Sequence, residues 1–278
     1  MKNLIVRTIS GAVYVALITA SIIVGPQWFF ALMCIFAALA VVEVDKMASH
    51  RPCVVATALD IVATLLIIAA GFCFCSPTSL FGVGPFMLVL ALALCLLRLV
   101  WALWDRRDDA FRCIAGSVLA ILYIGVPMLL FNFIYLCNKW LALALFVLIW
   151  FNDTGAYVFG SWLGKHKLFE RLSPKKSWEG FFGGMLSCIG MGIGCYYISN
   201  ALPGGLHWPL WVWPIYAVVV CIFATLGDLF ESLLKRSTGI KDSGNIIPGH
   251  GGILDRIDSM LFVVPATVVF LVIYEFVI

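Results

Sequence analysis

Between Gly227 and Asp258 the chain gathers five acidic residues, four basic residues and a histidine inside a sequence that is otherwise strongly apolar. The charges alternate in sign and are interrupted by glycine and proline, a pattern that solubility alone does not require. The apolar run ahead of Gly227 meets no breaker before Lys235, which predicts a helix through that residue. On such a helix Asp228 and Ser232 stand one turn apart, and Ser232, Lys235 and Arg236 extend the same face. Pro248 and Gly249 end the loop that follows, and Gly251 and Gly252 would let the backbone approach a ligand closely. Asp255 and Asp258 are three apart at the start of the next predicted helix, so they face one way. Paired carboxylates of this kind suit Mg²⁺, a hard cation that takes oxygen ligands and keeps waters which substrate phosphates can replace. Lys235, Arg236, Lys241 and Arg256 could neutralise phosphate oxygens. A loop with incidental salt bridges is the competing explanation, and the cost of charge beside a bilayer weighs against it.

The stretch resembles the signature of the phosphatidate cytidylyltransferases, also called CDP-diacylglycerol synthases. The matching positions are Ser232, Lys235, Arg236, Lys241, Asp242, Gly244, Pro248, His250, Gly251, Gly252, Asp255, Arg256 and Asp258. The resemblance implies a transferase that joins CTP to phosphatidate, giving CDP-diacylglycerol and pyrophosphate for phospholipid synthesis. A phosphatidate oxygen would attack the α-phosphorus of CTP in line. Under that reading Asp228, Asp255 and Asp258 hold Mg²⁺, with Ser232 as a further oxygen ligand. A second cation, K⁺ or Mg²⁺, fits as well, since paired metals recur in phosphoryl chemistry. Lys235, Arg236, Lys241 and Arg256, with Gly251 and Gly252, would clamp phosphates, and His250 would contact phosphate or transfer a proton. The catalytic set is then Asp228, Ser232, Lys235, His250, Asp255 and Asp258.

The elements that must carry these residues are transmembrane helices. Hydrophobic residues make up 63% of the 278 and charged residues 12%, against about 25% charged in soluble domains. At ~20 residues per span the chain accommodates about nine. We place them near 5–24, 27–45, 54–75, 83–104, 113–137, 140–160, 178–200, 211–234 and 255–277. The expected fold is an all-α, polytopic integral membrane protein: an N-terminal scaffold of about five spans over 1–137 and a catalytic region of about four over 138–278. Lys2 and Arg7 ahead of an apolar run superficially resemble a signal peptide. That run is long and passes through Gly25-Pro26-Gln27 without a clear cleavage site, so a retained first helix is expected.

Sixteen of the 18 basic residues fall on one side of this arrangement; Lys139 lies on the other and Arg98 within a span. The positive-inside rule then places the N-terminus and the 227–258 stretch in the cytoplasm and the C-terminus outside, with the chain in the inner (plasma) membrane. The net charge of +3 suggests no nucleic-acid partner. The expected partners are CTP, phosphatidate and the bilayer, and a homodimer is compatible with such a chain.

Other positions stand out. Asp60 and Arg98 lie inside spans, where a lone charge is costly, and are expected to pair. The 105–112 connection has adjacent aspartates but lacks the rest of a prenyl-diphosphate site, so it is expected to be a solvated face. Asn152, Asp153 and Tyr157 form an intramembrane candidate site, and this segment also resembles the family. Lys175 and Lys176 are expected to bind substrate phosphate at the start of a helix capped by Ser177, within a Ser-Pro-Lys-Lys-Ser-Trp-Glu-Gly run similar to one in the family. The glycines from Gly180 to Gly194 should let helices approach closely. Trp208, Trp211 and Trp213 are expected to form an interfacial belt. The ten cysteines show neither a disulfide framework nor a zinc spacing and are expected to be free thiols. A cavity among spans six to nine, open to lipid and to cytosol, would let the two substrates meet.

Two alternatives remain in view. An ion-coupled transporter would use Asp60, Asp153 and Asp228 as a pathway. Another membrane phosphotransferase acting on a lipid phosphate is the second, although the Asp-Gly…Ala-Arg…Gly…Asp…Asp run of the CDP-alcohol phosphotransferases is absent.

Overall fold

Long apolar runs broken by single glycines, prolines and short polar links become helical rods, because only a helix satisfies every backbone group within a lipid-immersed segment. The computed structural model describes residues 2–49, 53–75, 82–105, 109–244, 246 and 251–277. Pro248, Gly249 and His250, singled out above, lie outside the described residues, as do Arg51 and, in the 105–112 connection, Arg106, Arg107 and Asp108. The helices are α1 (Lys2–Val24), α2 (Pro26–Ala48), α3 (Val54–Cys75), α4 (Val83–Trp101), α5 (Ala110–Ala120), α6 (Val126–Cys137), α7 (Lys139–Leu163), α8 (Trp178–Ala201), α9 (Val212–Ser237) and α10 (Leu254–Val277). Between α5 and α6, Ile121–Gly125 form a π-helical turn, so the three pieces make one rod. Pro127 follows directly; its missing N–H breaks the i→i−4 ladder and favours a local change of register.

Among the described residues, eight of these rods are long and apolar enough to cross a membrane, and α1 adds a shorter apolar stretch, Thr8–Val24. The expectation of about nine spans agrees with this. On α4 only Gly84, Ala91 and Arg98 are buried, while Phe86, Val89 and Leu92 are exposed. A helix so apolar on its outer surface is stable only with lipid as solvent, and the chain is a multi-pass membrane protein.

The residues cluster into two units. The first comprises Met1–Cys137 and Thr238–Arg256, so 238–256, assigned from sequence to the C-terminal region, packs with the N-terminal helices. Its core includes Phe29, stacked on Tyr135 at 4.4 Å and edge-on to Phe131 at 5.1 Å. The expected intramembrane pair is present: Arg98 Nε lies 3.5 Å from Asp60 Oδ2, which also accepts from Ser117 Oγ at 2.6 Å.

The second unit comprises Asn138–Ser237 and Ile257–Ile278. Its helices pack through glycines, as expected. A Cβ on Gly180 would lie 2.9 Å from the Ala156 carbonyl, and one on Gly184 would lie 2.8 Å from the Asn152 carbonyl. Between α7 and α8 sits a two-stranded antiparallel hairpin, β1 (Lys167–Phe169) and β2 (Ser173–Ser177). Glu179 anchors it, accepting from the backbone N–H groups of Lys165 (3.1 Å) and His166 (3.2 Å) and pairing with His166 Nδ1 at 2.6 Å.

Two expectations need correction here. Lys175 and Lys176 belong to β2 rather than to a helix, because α8 begins only at Trp178, after the Ser177 cap that accepts from Gly180 N at 3.1 Å. The tryptophans expected to form an exposed belt divide: Trp208 and Trp213 are buried, their rings tilted with centroids 5.2 Å apart and with Tyr216, Phe270 and Tyr274 around Trp208, while Trp211 is exposed. Mutual ring packing inside the unit outweighs the headgroup preference of the indoles. At the expected sixth span, α7 continues to Leu163 and carries Asn152–Tyr157 inside the helix.

Candidate active site

The polar face of α9 is built by helical spacing. Asp228, Glu231, Ser232 and Lys235 recur at intervals of three and four and so share one stripe. Ser232 Oγ lies 3.4 Å from Asp228 Oδ1, and Lys235 Nζ meets Glu231 Oε2 at 2.5 Å. Gly227, one residue earlier, makes room for α10: a Cβ there would lie 2.6 Å from the Asp258 carbonyl oxygen and 3.0 Å from Ser259 Cα. This close approach brings Asp258 to the α9 stripe. One carboxylate oxygen from each of Asp228, Glu231 and Asp258 lies within 4.8 Å of the others.

Three converging carboxylates repel unless cations intervene. Lys176, carried by β2, supplies one, with Nζ 2.6 Å from Asp228 Oδ2; Lys235 supplies another at Glu231, which is only 1% exposed. Asp258 Oδ1 accepts from Ser259 N at 2.7 Å. On α7, the intramembrane candidate Asn152 is buried and its Nδ2 lies 3.4 Å from Asp153 Oδ1. Tyr157, one turn further, is 77% exposed on the outside of that helix. The donor set of Asp228, Glu231 and Asp258 is all oxygen and anionic, which suits a hard divalent cation, with the Ser232 hydroxyl alongside.

The remaining signature residues described lie in the first unit or on exposed surface. Asp255 Oδ2 accepts from Gly252 N (2.8 Å), Ser243 N (3.1 Å) and Ser243 Oγ (3.0 Å). Gly251 has φ of +85°, a left-handed conformation that glycine adopts freely. Gly252 makes a close approach as expected, but toward the protein's own Ser243 and Glu43, whose oxygens occupy the place of a Cβ. Lys175, Arg236, Lys241 and Arg256 are exposed.

Sequence reasoning overlooked two carboxylates. Glu231 stood inside the polar stretch, three residues from Asp228 and four before Lys235, and that spacing could have identified it. Glu43 lies near the end of α2, and an acidic residue within an apolar span was the only signal it gave.

Comparison with known proteins places these residues in context. The chain matches the cytidylyltransferase family over residues 5–274, so the likeness reaches well beyond the polar motifs into the N-terminal helices. It is similar to phosphatidate cytidylyltransferases of Staphylococcus epidermidis (38% identity over 174 residues, 63% of this chain and 65% of the relative) and Staphylococcus haemolyticus (36%, with the same coverage). The one from Staphylococcus aureus is 35% identical over 186 residues, 66% of this chain and 70% of the relative. The chain thus spans just under two thirds of the length of the first two. With nearly all of its length matched and its acidic cluster built on that matched region, the chain belongs to the cytidylyltransferase family.

Proposed function

We propose that this protein transfers a cytidylyl group from CTP to phosphatidate, releasing pyrophosphate and leaving CDP-diacylglycerol in the membrane. What supports this reading most is the convergence of Asp228, Glu231 and Asp258 beside Lys176, in a chain whose relatives bear the name of that enzyme. Both substrates are anionic phosphates, and a cluster of oxygen ligands ringed by lysines is the chemistry that handles them.

Asp228, Glu231 and Asp258 would hold Mg²⁺, with Ser232 as an added oxygen ligand; the three carboxylates are close enough together to share one ion. When bound, Mg²⁺ offsets the negative charge of the transferring group and of the pyrophosphate leaving group. Lys176, paired with Asp228, stands beside the cluster, where its ammonium would also serve a substrate phosphate. Lys175, Arg236, Lys241 and Arg256 add charge for phosphate oxygens. Asp255 ties the 243–252 loop to the helix that carries Asp258. No dedicated base is required, because a phosphate monoester is already largely anionic near neutral pH. The bond formed joins a phosphatidate oxygen to the α-phosphorus of CTP, and the bond broken leads to pyrophosphate.

The test is direct. Purified protein in detergent, given radiolabelled CTP, phosphatidate and Mg²⁺, should convert label into a lipid-extractable cytidine product. Label that stays aqueous under saturating substrate would sink the reading. The same proposal sets the topology, with the N-terminus and active site cytoplasmic and the C-terminus outside the inner membrane. A reporter fused after Ile278 should then read as external and one inserted beside Lys241 as cytoplasmic; the reverse pattern would refute it.

A further inference from the structure

We infer that Glu43, on α2 of the N-terminal unit, is a positioning residue that clamps the base of the signature loop. The inference rests on the reaction proposed above and extends it to a residue far away in sequence. Glu43 is 1% exposed, buried among apolar helices, where a carboxylate persists only with strong partners. Among the described residues, its hydrogen-bond partners come from 243–254. Oε1 accepts from Ile253 N at 3.0 Å, and Oε2 accepts from Leu254 N at 2.9 Å. Ser243 Oγ lies 2.9 Å from Oε2 and 3.0 Å from Asp255 Oδ2, and with a single hydroxyl hydrogen it can donate to only one of them at a time.

This arrangement does two things. Ile253 and Leu254 stand at the start of α10, whose first N–H groups have no partner within the helix. Glu43 therefore caps α10 from another helix, with a full negative charge at the positive end of the helix dipole. It also joins the two ends of the loop, because Ser243 lies before the Pro-Gly-His segment and Ile253 after it. The glycines beside it are shaped to this carboxylate: a Cβ on Gly244 would meet Glu43 Oε1 at 2.5 Å, and one on Gly252 would overlap both Glu43 oxygens. An acidic side chain thus accounts for two glycines of the signature. The helix it caps carries Asp258 one turn later, so the clamp sets where that carboxylate begins its course.

Glu43→Gln tests this, because both oxygens act as acceptors and an amide would place an N–H₂ group against a backbone N–H. We expect the variant to purify as a folded species with a melting temperature close to wild type. Backbone amides of 253–254 should exchange with deuterium faster, while those of α7 and α8 are unchanged. With saturating CTP, phosphatidate and Mg²⁺, kcat should fall roughly ten- to a hundredfold, the scale on which slight misplacement of reacting groups acts, with little change in either KM. Ser243→Ala, which removes one bond and leaves the carboxylate, gives the same pattern in weaker form and serves if the glutamine variant does not fold. Unchanged exchange at 253–254, or lost protection with wild-type kcat, would overturn the assignment. Wild-type protein that makes no cytidylyl lipid would instead overturn the reaction, and the exchange measurement would still decide whether Glu43 holds the loop.

Discussion

Two groups of carboxylates in this protein are satisfied in opposite ways. In the first unit Glu43 and Asp255 receive hydrogen bonds from a serine hydroxyl and from backbone N–H groups, and the backbone donors cannot leave unless the chain around them moves. In the second unit Asp228 and Glu231 are balanced by the ammonium groups of Lys176 and Lys235, each on a flexible four-carbon stem. The first arrangement fixes backbone; the second can be exchanged for a metal ion or a phosphate at modest cost. On the function proposed above, the type of donor would separate carboxylates that hold structure from carboxylates that do chemistry, and each variant below tests that division.

The largest effect should come from the exchangeable set. Asp258→Asn and Asp228→Asn replace an anionic ligand with an amide, a much poorer partner for a hard cation. Each should lower cytidylyl transfer by about a thousandfold or more, the scale of losing a principal charge-stabilising group, while the protein stays folded. Turnover near wild type across a Mg²⁺ titration would remove that residue from the site.

A geometric variant comes next. Gly227→Ala inserts a Cβ that the Asp258 carbonyl leaves no room for, so α10 must shift relative to α9. We expect kcat to fall by roughly a hundredfold, since small displacements of reacting groups carry penalties of that order. Gly190→Ala is the control, because its Cβ would meet nothing within 4 Å. If both variants behave alike in the transfer assay, close approach at Gly227 is not what assembles the cluster.

Smaller still is the expected effect of removing mobile charge. Lys175→Ala combined with Lys176→Ala should raise the KM for CTP or phosphatidate about tenfold, as for a lost charge-assisted contact, and leave the Mg²⁺ requirement as it was. Wild-type kinetics for both substrates would assign these lysines to topology alone.

Much of this was legible in the sequence, for reasons that can be stated. The spans followed from composition because lipid admits few alternatives to a helix. The Asp228–Ser232 register followed because no breaker interrupts the run, and the Asp60–Arg98 pair followed from the cost of lone intramembrane charge. The part played by Glu43 was not legible: its partners lie some 200 residues away in sequence, and no periodicity reports a contact of that kind. The burial of Trp208 and Trp213 escaped for a similar reason, since an indole at a helix end reads as an interface anchor until its ring partners are known. Asp255 looked equivalent to Asp258 on spacing alone; the hydrogen bonds from Gly252 and Ser243 to Asp255, and the convergence of Asp258 on Asp228 and Glu231, distinguish them.

Asp60 offers the finest test, because it is a third kind of carboxylate. Its Oδ2 accepts from Ser117 and faces Arg98, and all three side chains are buried on membrane-spanning segments of the first unit. An ion pathway would need this group to change partners, whereas a structural pair only needs it to stay. Asp60→Asn leaves the Arg98 charge buried without its counter-ion, at a cost of about 3 kcal/mol, the usual penalty for breaking a buried pair from one side. We therefore expect a lower melting temperature with kcat and both KM values, per folded molecule, unchanged. Asp60→Leu together with Arg98→Leu removes both charges and should recover part of the lost stability, because neither is then stranded. A change in turnover that persists in the stabilised double variant would mean that Asp60 belongs with Asp228 and Asp258 rather than with Glu43.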